Sequence, residues 1–331
     1  MKKIIVNILK FIISLSFGMI LVYWSIGKLN VSQKQQIVHV FNIASYKWLI
    51  LLILAGFLSN FSRTRRWILL LRSTNHNPRF SNTFFAVTLM FFANLFFPRL
   101  GEIARCGVLA KYEGVPMEKS VGTMVLERLI DFISILFLGL VLIITQYDIL
   151  YIYFYEVYSY LFSKFSASVN SFIFFIVFFI FLFFIYFLFP KKAFSWVYFD
   201  KIKYRVYSLW TGVVAIKYLE KKWEFLFHTI FIWICYILMP YFGFKSLVET
   251  SNLSLLAAVA CVFFGGFAMV LTQGGIGAFP IVIQKVLLLY GINGIIGLSY
   301  GWISWSAQTI SVIIGGILSL LLLPMFNGNN R

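Results

Sequence analysis

The chain has 331 residues, 61% hydrophobic, 20% aromatic and only 12% charged, with a formal net charge of +17 and a mean hydropathy of +0.90. Soluble domains are about half apolar and about a quarter charged, so this composition excludes an ordinary soluble domain. On a soluble chain the positive balance would point to nucleic acid; here Lys and Arg cluster in short segments between apolar runs, the bias that marks cytoplasmic loops, and no nucleic-acid partner is expected.

The N-terminus, MKKIIVNILKFIISLSFGMILVYW, is basic and then apolar and has no small-x-small cleavage site, so it reads as a retained anchor. Residues 11–27 make a first span and residues 46–62 a second. Residues 63–79, RTRRWILLLRSTNHNPR, hold five Arg and no acid, which places them on the cytoplasmic side with the N-terminal Lys2, Lys3 and Lys10. RTRRW is expected at the membrane surface as a topology anchor, where it also gathers anionic headgroups. An apolar stretch follows at residues 81–97, then the break PRLGE, then KYEGVPMEKS, and residues 120–144 form another apolar helix. The segment after it carries one Lys, one Asp and one Glu over residues 146–168 and reads as external. Residues 170–189, NSFIFFIVFFIFLFFIYFLF, cross back; twenty helical residues rise about 30 Å, the thickness of a bilayer core. Residues 191–224 carry eight Lys or Arg among aromatics, a basic amphipathic segment for the anionic cytoplasmic leaflet. Residues 225–243 cross out and residues 297–323 return. Strand alternation is absent, which disfavours a barrel.

The sidedness of these segments constrains the rest. Residues 81–119 leave and return on the cytoplasmic face, so they predict a re-entrant hairpin broken at PRLGE. Residues 252–292 have external flanks and predict a second hairpin broken at TQGGIGAFP. The reading is one all-α polytopic membrane domain over residues 1–331, with about six full transmembrane helices and two re-entrant hairpins, inverted-repeat-like, and both termini cytoplasmic. Paired interruptions in two halves point to a transporter site, because irregular backbone at membrane depth is tolerated only where protein or a cavity satisfies it.

Charges concentrate at the first break. Arg99, Glu102 and Arg105 are spaced i, i+3, i+6, and VLERLIDF places Glu127, Arg128 and Asp131 inside an apolar helix. Buried charges of this kind pair or face a cavity. Three roles stay open: an ion-pair staple of Arg99 and Arg105 with Glu127 and Asp131, a phosphate site in which guanidinium forks grip two oxygens, or a proton relay through the acids. At the second break Gln273, Gly274, Gly275 and Gly277 let backbone approach a ligand, although such glycines also serve close helix packing. Thr272 adds a hydroxyl, Gln284 is placed to reach such a cavity, and Lys285 either reaches it or snorkels outward. Gln308 and Thr309 are polar at mid-depth and read as helix glue. No Walker lysine follows the glycines, which leaves ATP hydrolysis without support. Cys106, Cys235 and Cys261 are far apart and His39, His76 and His228 are scattered, so no metal, cofactor or disulfide framework is expected.

RTRRW after the second span, PRLGEIAR, S..T..LERLIDF and a late Gly-Gly-x-Gly turn, in this order, resemble the flippase-like membrane family that includes the transmembrane region of lysylphosphatidylglycerol synthases, over nearly the whole chain. The resemblance implies movement of headgroup-bearing lipids between leaflets. It assigns Pro98, Arg99, Gly101, Glu102 and Arg105 to the first re-entrant element, Glu127, Arg128 and Asp131 to the adjoining helix, and Gly274, Gly275 and Gly277 to the second hairpin. The chain departs from the family's usual proline before the turn and glutamate after it, where Gln273 and Pro280 stand, and neutral residues around Trp305 replace a late arginine. The synthase relatives carry a large soluble catalytic domain; this sequence ends eight residues after Leu323, so no lysyl transfer is expected. The expectation is a transporter rather than an enzyme, in a bacterial cytoplasmic membrane, handling an anionic phospholipid or a polyprenyl-phosphate-type lipid, with an oligomer possible. The rivals are a membrane-embedded transferase acting on a lipid-linked phosphate and a non-transporting envelope scaffold.

Overall fold

The apolar runs lack the two-residue alternation of strands, and each one that is seen becomes a helix. The computed structural model describes residues 16, 18–23, 25–27, 29–97, 100–149, 151, 155, 159 and 219–328, among which all regular structure is helical. In chain order the helices are α1 (Val31–Ile43), α2 (Tyr46–Arg72), α3 (Phe80–Phe96), α4 (Leu100–Glu113), α5 (Met117–Thr145), α6 (Lys222–Phe244), α7 (Leu255–Leu271), α8 (Ala278–Leu289) and α9 (Gly294–Asn327). The expected crossing at 170–189 lies outside the described residues, as does the expected amphipathic segment up to residue 218.

Two of these helices differ from expectation. α1 was not anticipated, although its start was written as a capping box: Asn30 Oδ1 accepts from Gln33 N at 2.8 Å and Gln33 Oε1 accepts from Asn30 N at 3.0 Å. α1 meets α2 at a 77° bend, where Ser45 N donates to Ser246 O at 2.8 Å. α2 does not stop at residue 62 but runs on to Arg72, carrying the arginine-rich segment as helix. Three helices, α5, α6 and α9, are long and apolar enough to cross a membrane, and a fourth span is reached if α1 and α2 count as one; α3, α7 and α8 are shorter apolar helices.

Contacts group the chain into two compact units, residues 1–139 with 212–331 and residues 140–211. In the second, Tyr147, Tyr151 and Tyr155 stack in sequence at 5.7 and 6.0 Å.

α3 and α4 form an antiparallel pair. α3 ends where Phe97 is extended, φ −135°, as a residue before proline must be. α4 then returns along α3. Gly101 packs on the Met90 carbonyl so closely that a Cβ has no room, and its N–H is taken by Asn94 Oδ1 at 2.8 Å. At the far end Glu113 accepts from Arg79 N at 2.9 Å and from the Asn82 amide. Gly114, at φ +64°, closes α4, and Pro116 precedes α5.

α7 and α8 form a second antiparallel pair, with Gly265 against Phe279 and Ile283. Between them Gly274, Gly275 and Gly277 take φ of 57°, 73° and 72°, positive values that side chains resist, while Ile276 among them keeps φ −56°. α9 packs on both pairs: Gly301 lies against Pro280 of α8, and Gly316 against Phe92 of α3. The ends are tied by Asn82 and Asn327, whose amides exchange hydrogen bonds of 2.9 and 2.8 Å.

Candidate functional site

α2 and α5 face one another with two charged ladders in register. On α2 the arginines are three apart, Arg63 and Arg66; on α5 the acids are four apart, Glu127 and Asp131, so each pair occupies one helix face. Arg63 Nη1 donates to Glu127 Oε1 and, at 2.9 Å, to Asp131 Oδ2. Arg66 Nη2 donates to Asp131 Oδ1 at 2.8 Å and to Glu127 Oε1 at 3.2 Å. From α4, Arg105 Nη1 sits 3.0 Å from Glu127 Oε2, and its guanidinium lies 4.4 Å over the Trp67 ring. Arg66, Arg105 and Glu127 have no exposure at all, and Arg63 has 3%. Beside them Trp67, Leu70, Val87, Leu109 and Leu126 form apolar core. Removing water from these ions is tolerable only because each charge meets an opposite one at hydrogen-bonding distance.

One end of this cluster reaches a cavity. Arg63 Nη2 donates at 2.9 Å to the Tyr236 hydroxyl, and Tyr236 lines a space of about 490 Å³. Its apolar lining includes Leu52, Phe91, Met239, Met269 and Val312, and its polar lining includes Asn60, Asn94, Gln273 and Gln308. Glu102 of α4 and Arg128 of α5 are the charged residues on its surface, with their closest atoms 3.8 Å apart. The tips of the two antiparallel pairs meet at its margin, where Leu95 of α3 packs on Gly274. Trp305 of α9 donates its indole N–H to Gly274 O at 2.7 Å and Thr272 Oγ1 donates to Ile276 O at 3.0 Å, which hold the turn in place.

The residues singled out from sequence therefore fall in different places. Glu102, Arg128, Gln273 and Gly274 reach the cavity. Arg105, Glu127 and Asp131 lie in the buried cluster behind it. Gly275 packs on Met269 and Phe279, and Gly277 abuts residues 18–22, so both shape the turn. Arg99 and Pro98 lie outside the described residues. Gln284 donates to Gly294 O at 2.9 Å and Lys285 is exposed, so neither lines the cavity. Gln308 and Thr309 do line it.

Two of the three arginines of RTRRW depart from the expected position at the membrane surface. Arg65 is exposed, as a surface position requires, but Arg63 and Arg66 are buried and join Arg105 as partners of Glu127 and Asp131, a staple in which they were not expected. The positive-inside bias explained these arginines too readily. The signal against it was the apolar run WILLL directly after them, which continues the helix and buries its inner face. Tyr236, Asn60 and Asn94 were also missed, since single neutral polar residues in apolar helices carry no pattern.

Long apolar helices, a buried ion-pair network and two antiparallel helix pairs around an amphipathic cavity define a polytopic helical membrane protein. The family model described as the lysylphosphatidylglycerol synthase TM region matches residues 7–326, and the chain belongs to that family. Comparisons with curated proteins and with solved structures give no match.

Proposed function

We propose that the protein is a lipid translocase, moving a lipid with an anionic or phosphate-containing headgroup between leaflets. The observation that carries this reading is the cavity of about 490 Å³, lined by both apolar and polar side chains and bearing Arg128, at the meeting point of the two helix pairs. A guanidinium suits a phosphate because its N–H fork matches two oxygens, and the Arg128 Nε is buried with no hydrogen-bond partner among the described residues. The apolar lining residues suit the glycerol and first methylenes, while the remaining chain stays in lipid. The family membership supports a lipid as the substrate class.

In this reading the α3–α4 and α7–α8 pairs are re-entrant hairpins dipping from opposite faces among about six full spans, related as inverted repeats. Their element order supports it: a long helix, a short pair and a long helix occur twice, as α2 to α5 and as α6 to α9. The membrane is the bacterial cytoplasmic one and both termini are cytoplasmic, which the basic segments support.

Reconstituted into vesicles with a fluorescent phosphatidylglycerol, the protein speeds exchange between leaflets. Arg128→Gln lowers that rate at least about tenfold, the value of one charge-assisted hydrogen bond, with the folded yield retained. Equal rates for variant and wild type would remove Arg128 from the site. A second reading, a transferase on a lipid-linked phosphate, draws on Glu102, a carboxylate that lines the cavity and is of the type that serves as a general base. Recovery of a chemically altered lipid after incubation would favour it over transport.

A further inference from the structure

The charged groups fall into two tiers of ion pairing. Arg63 and Arg66 hold Asp131 by hydrogen bonds of 2.9 and 2.8 Å, and both also bond Glu127. Arg128 has no such bond to a carboxylate. Its nearest oxygens are Glu102 Oε1 at 3.8 Å and Asp131 Oδ2 at 3.9 Å, beyond hydrogen-bonding range. Its Nη2 donates instead to the Met90 sulfur at 3.3 Å, a weak acceptor. Among the described residues Arg128 Nε and Glu102 Oε2 are buried without a hydrogen-bond partner, as are the Arg105 guanidinium nitrogens and Glu127 Oε2, but Arg105 and Glu127 approach to 3.0 Å whereas Arg128 and Glu102 stay 3.8 Å apart. This loose pair is the one that faces the cavity.

The geometry points to Glu102 as an internal competitor for Arg128: it is the counterion that Arg128 keeps while the cavity is empty, and a headgroup oxyanion displaces it on binding. This inference rests on the headgroup reading above and gives Glu102 the role of a specificity-determining residue. A phosphodiester can approach the guanidinium to hydrogen-bonding distance and present two oxygens to its fork. Glu102 is held back by the α4 backbone, whose Gly101 is wedged on the Met90 carbonyl. Charge balance favours the exchange. Arg63, Arg66, Arg105 and Arg128 face Glu102, Glu127 and Asp131, four guanidiniums against three carboxylates among the described residues. One monoanionic phosphodiester brings the set to neutrality. A headgroup without an oxyanion offers Arg128 nothing in return for Glu102, so the pair selects against neutral lipids.

The test is calorimetric titration of purified protein in detergent with dihexanoylphosphatidylglycerol, and with dihexanoylglycerol as the neutral counterpart. Wild type binds the phosphatidylglycerol and Arg128→Gln does not. Glu102→Gln binds it about fivefold tighter, because a weak, partly solvated ion pair no longer competes. The double variant behaves as Arg128→Gln alone, and the neutral probe responds to none of these changes. Weaker or unchanged binding of phosphatidylglycerol by Glu102→Gln overturns the competitor role while leaving the headgroup reading intact. Wild type that ignores the probe overturns both. If Glu102→Gln does not fold, Glu102→Asp keeps the charge but draws it back by one methylene, and its affinity is read in the same way.

Discussion

Glu127 is the residue on which most of the buried charge converges. Arg63, Arg66 and Arg105 all contact it, and it is wholly inaccessible to solvent. Removing its charge leaves buried Arg105 without the counterion it has among the described residues, and leaves Asp131 alone against Arg63 and Arg66, at a cost of about 3–5 kcal/mol. Glu127→Gln should therefore lower the detergent melting temperature sharply and reduce the monodisperse yield. Glu102→Gln touches a looser pair whose arginine is 39% exposed, and it should change stability by no more than about 1 kcal/mol. A thermal melt of both variants separates the two tiers, and similar losses would show that the distinction is wrong. At this scale the sequence disclosed which residues were charged and that they must pair. It did not disclose the partners, because Arg63 and Glu127 are 64 positions apart and only the packing of α2 on α5 joins them.

Among the elements, the turn between α7 and α8 is the most demanding. Gly274 has φ 57°, and a Cβ there would come within 2.7 Å of Leu95 Cδ2. Gly274→Ala should cost about 1–3 kcal/mol through backbone strain and collision together. Adding Leu95→Ala should recover the collision and leave the strain, so a partial rescue in melting temperature is expected; full rescue or none would count against this account. Trp305→Phe removes the N–H donated to Gly274 O and should cost about 1 kcal/mol. The breaks themselves were legible, since Pro98 ends a helix for steric reasons and Gly-Gly-x-Gly cannot continue one. α1 and the last turns of α2 do not stand out in hydropathy, because α1 is marked by its capping box and the end of α2 by the apolar residues following RTRR.

For the whole molecule, α9 is the element shared by both helix pairs, and the Asn82–Asn327 amide exchange ties it to the start of α3. If transport moves the pairs relative to one another, fixing that junction should stop it. Asn82→Cys with Asn327→Cys, bridged by a short bifunctional thiol reagent, should lose lipid exchange in vesicles, while either single variant treated with the same reagent keeps it. Cys106, Cys235 and Cys261 are buried, which limits background reaction. Undiminished exchange in the bridged protein would mean that the junction is static through the cycle. The sequence by itself determined that the chain is a helical membrane protein, where its apolar segments break and which ionisable groups lie within them, because hydropathy, proline and glycine act locally along the chain. Only the tertiary structure decided that Arg63 and Arg66 are interior, that Glu127 sits among three arginines, and that Glu102 and Arg128 alone of the described charges look into the cavity. Those outcomes depend on which helix faces which, and a charge is stabilised by whatever its neighbour in space presents, whatever the distance along the chain.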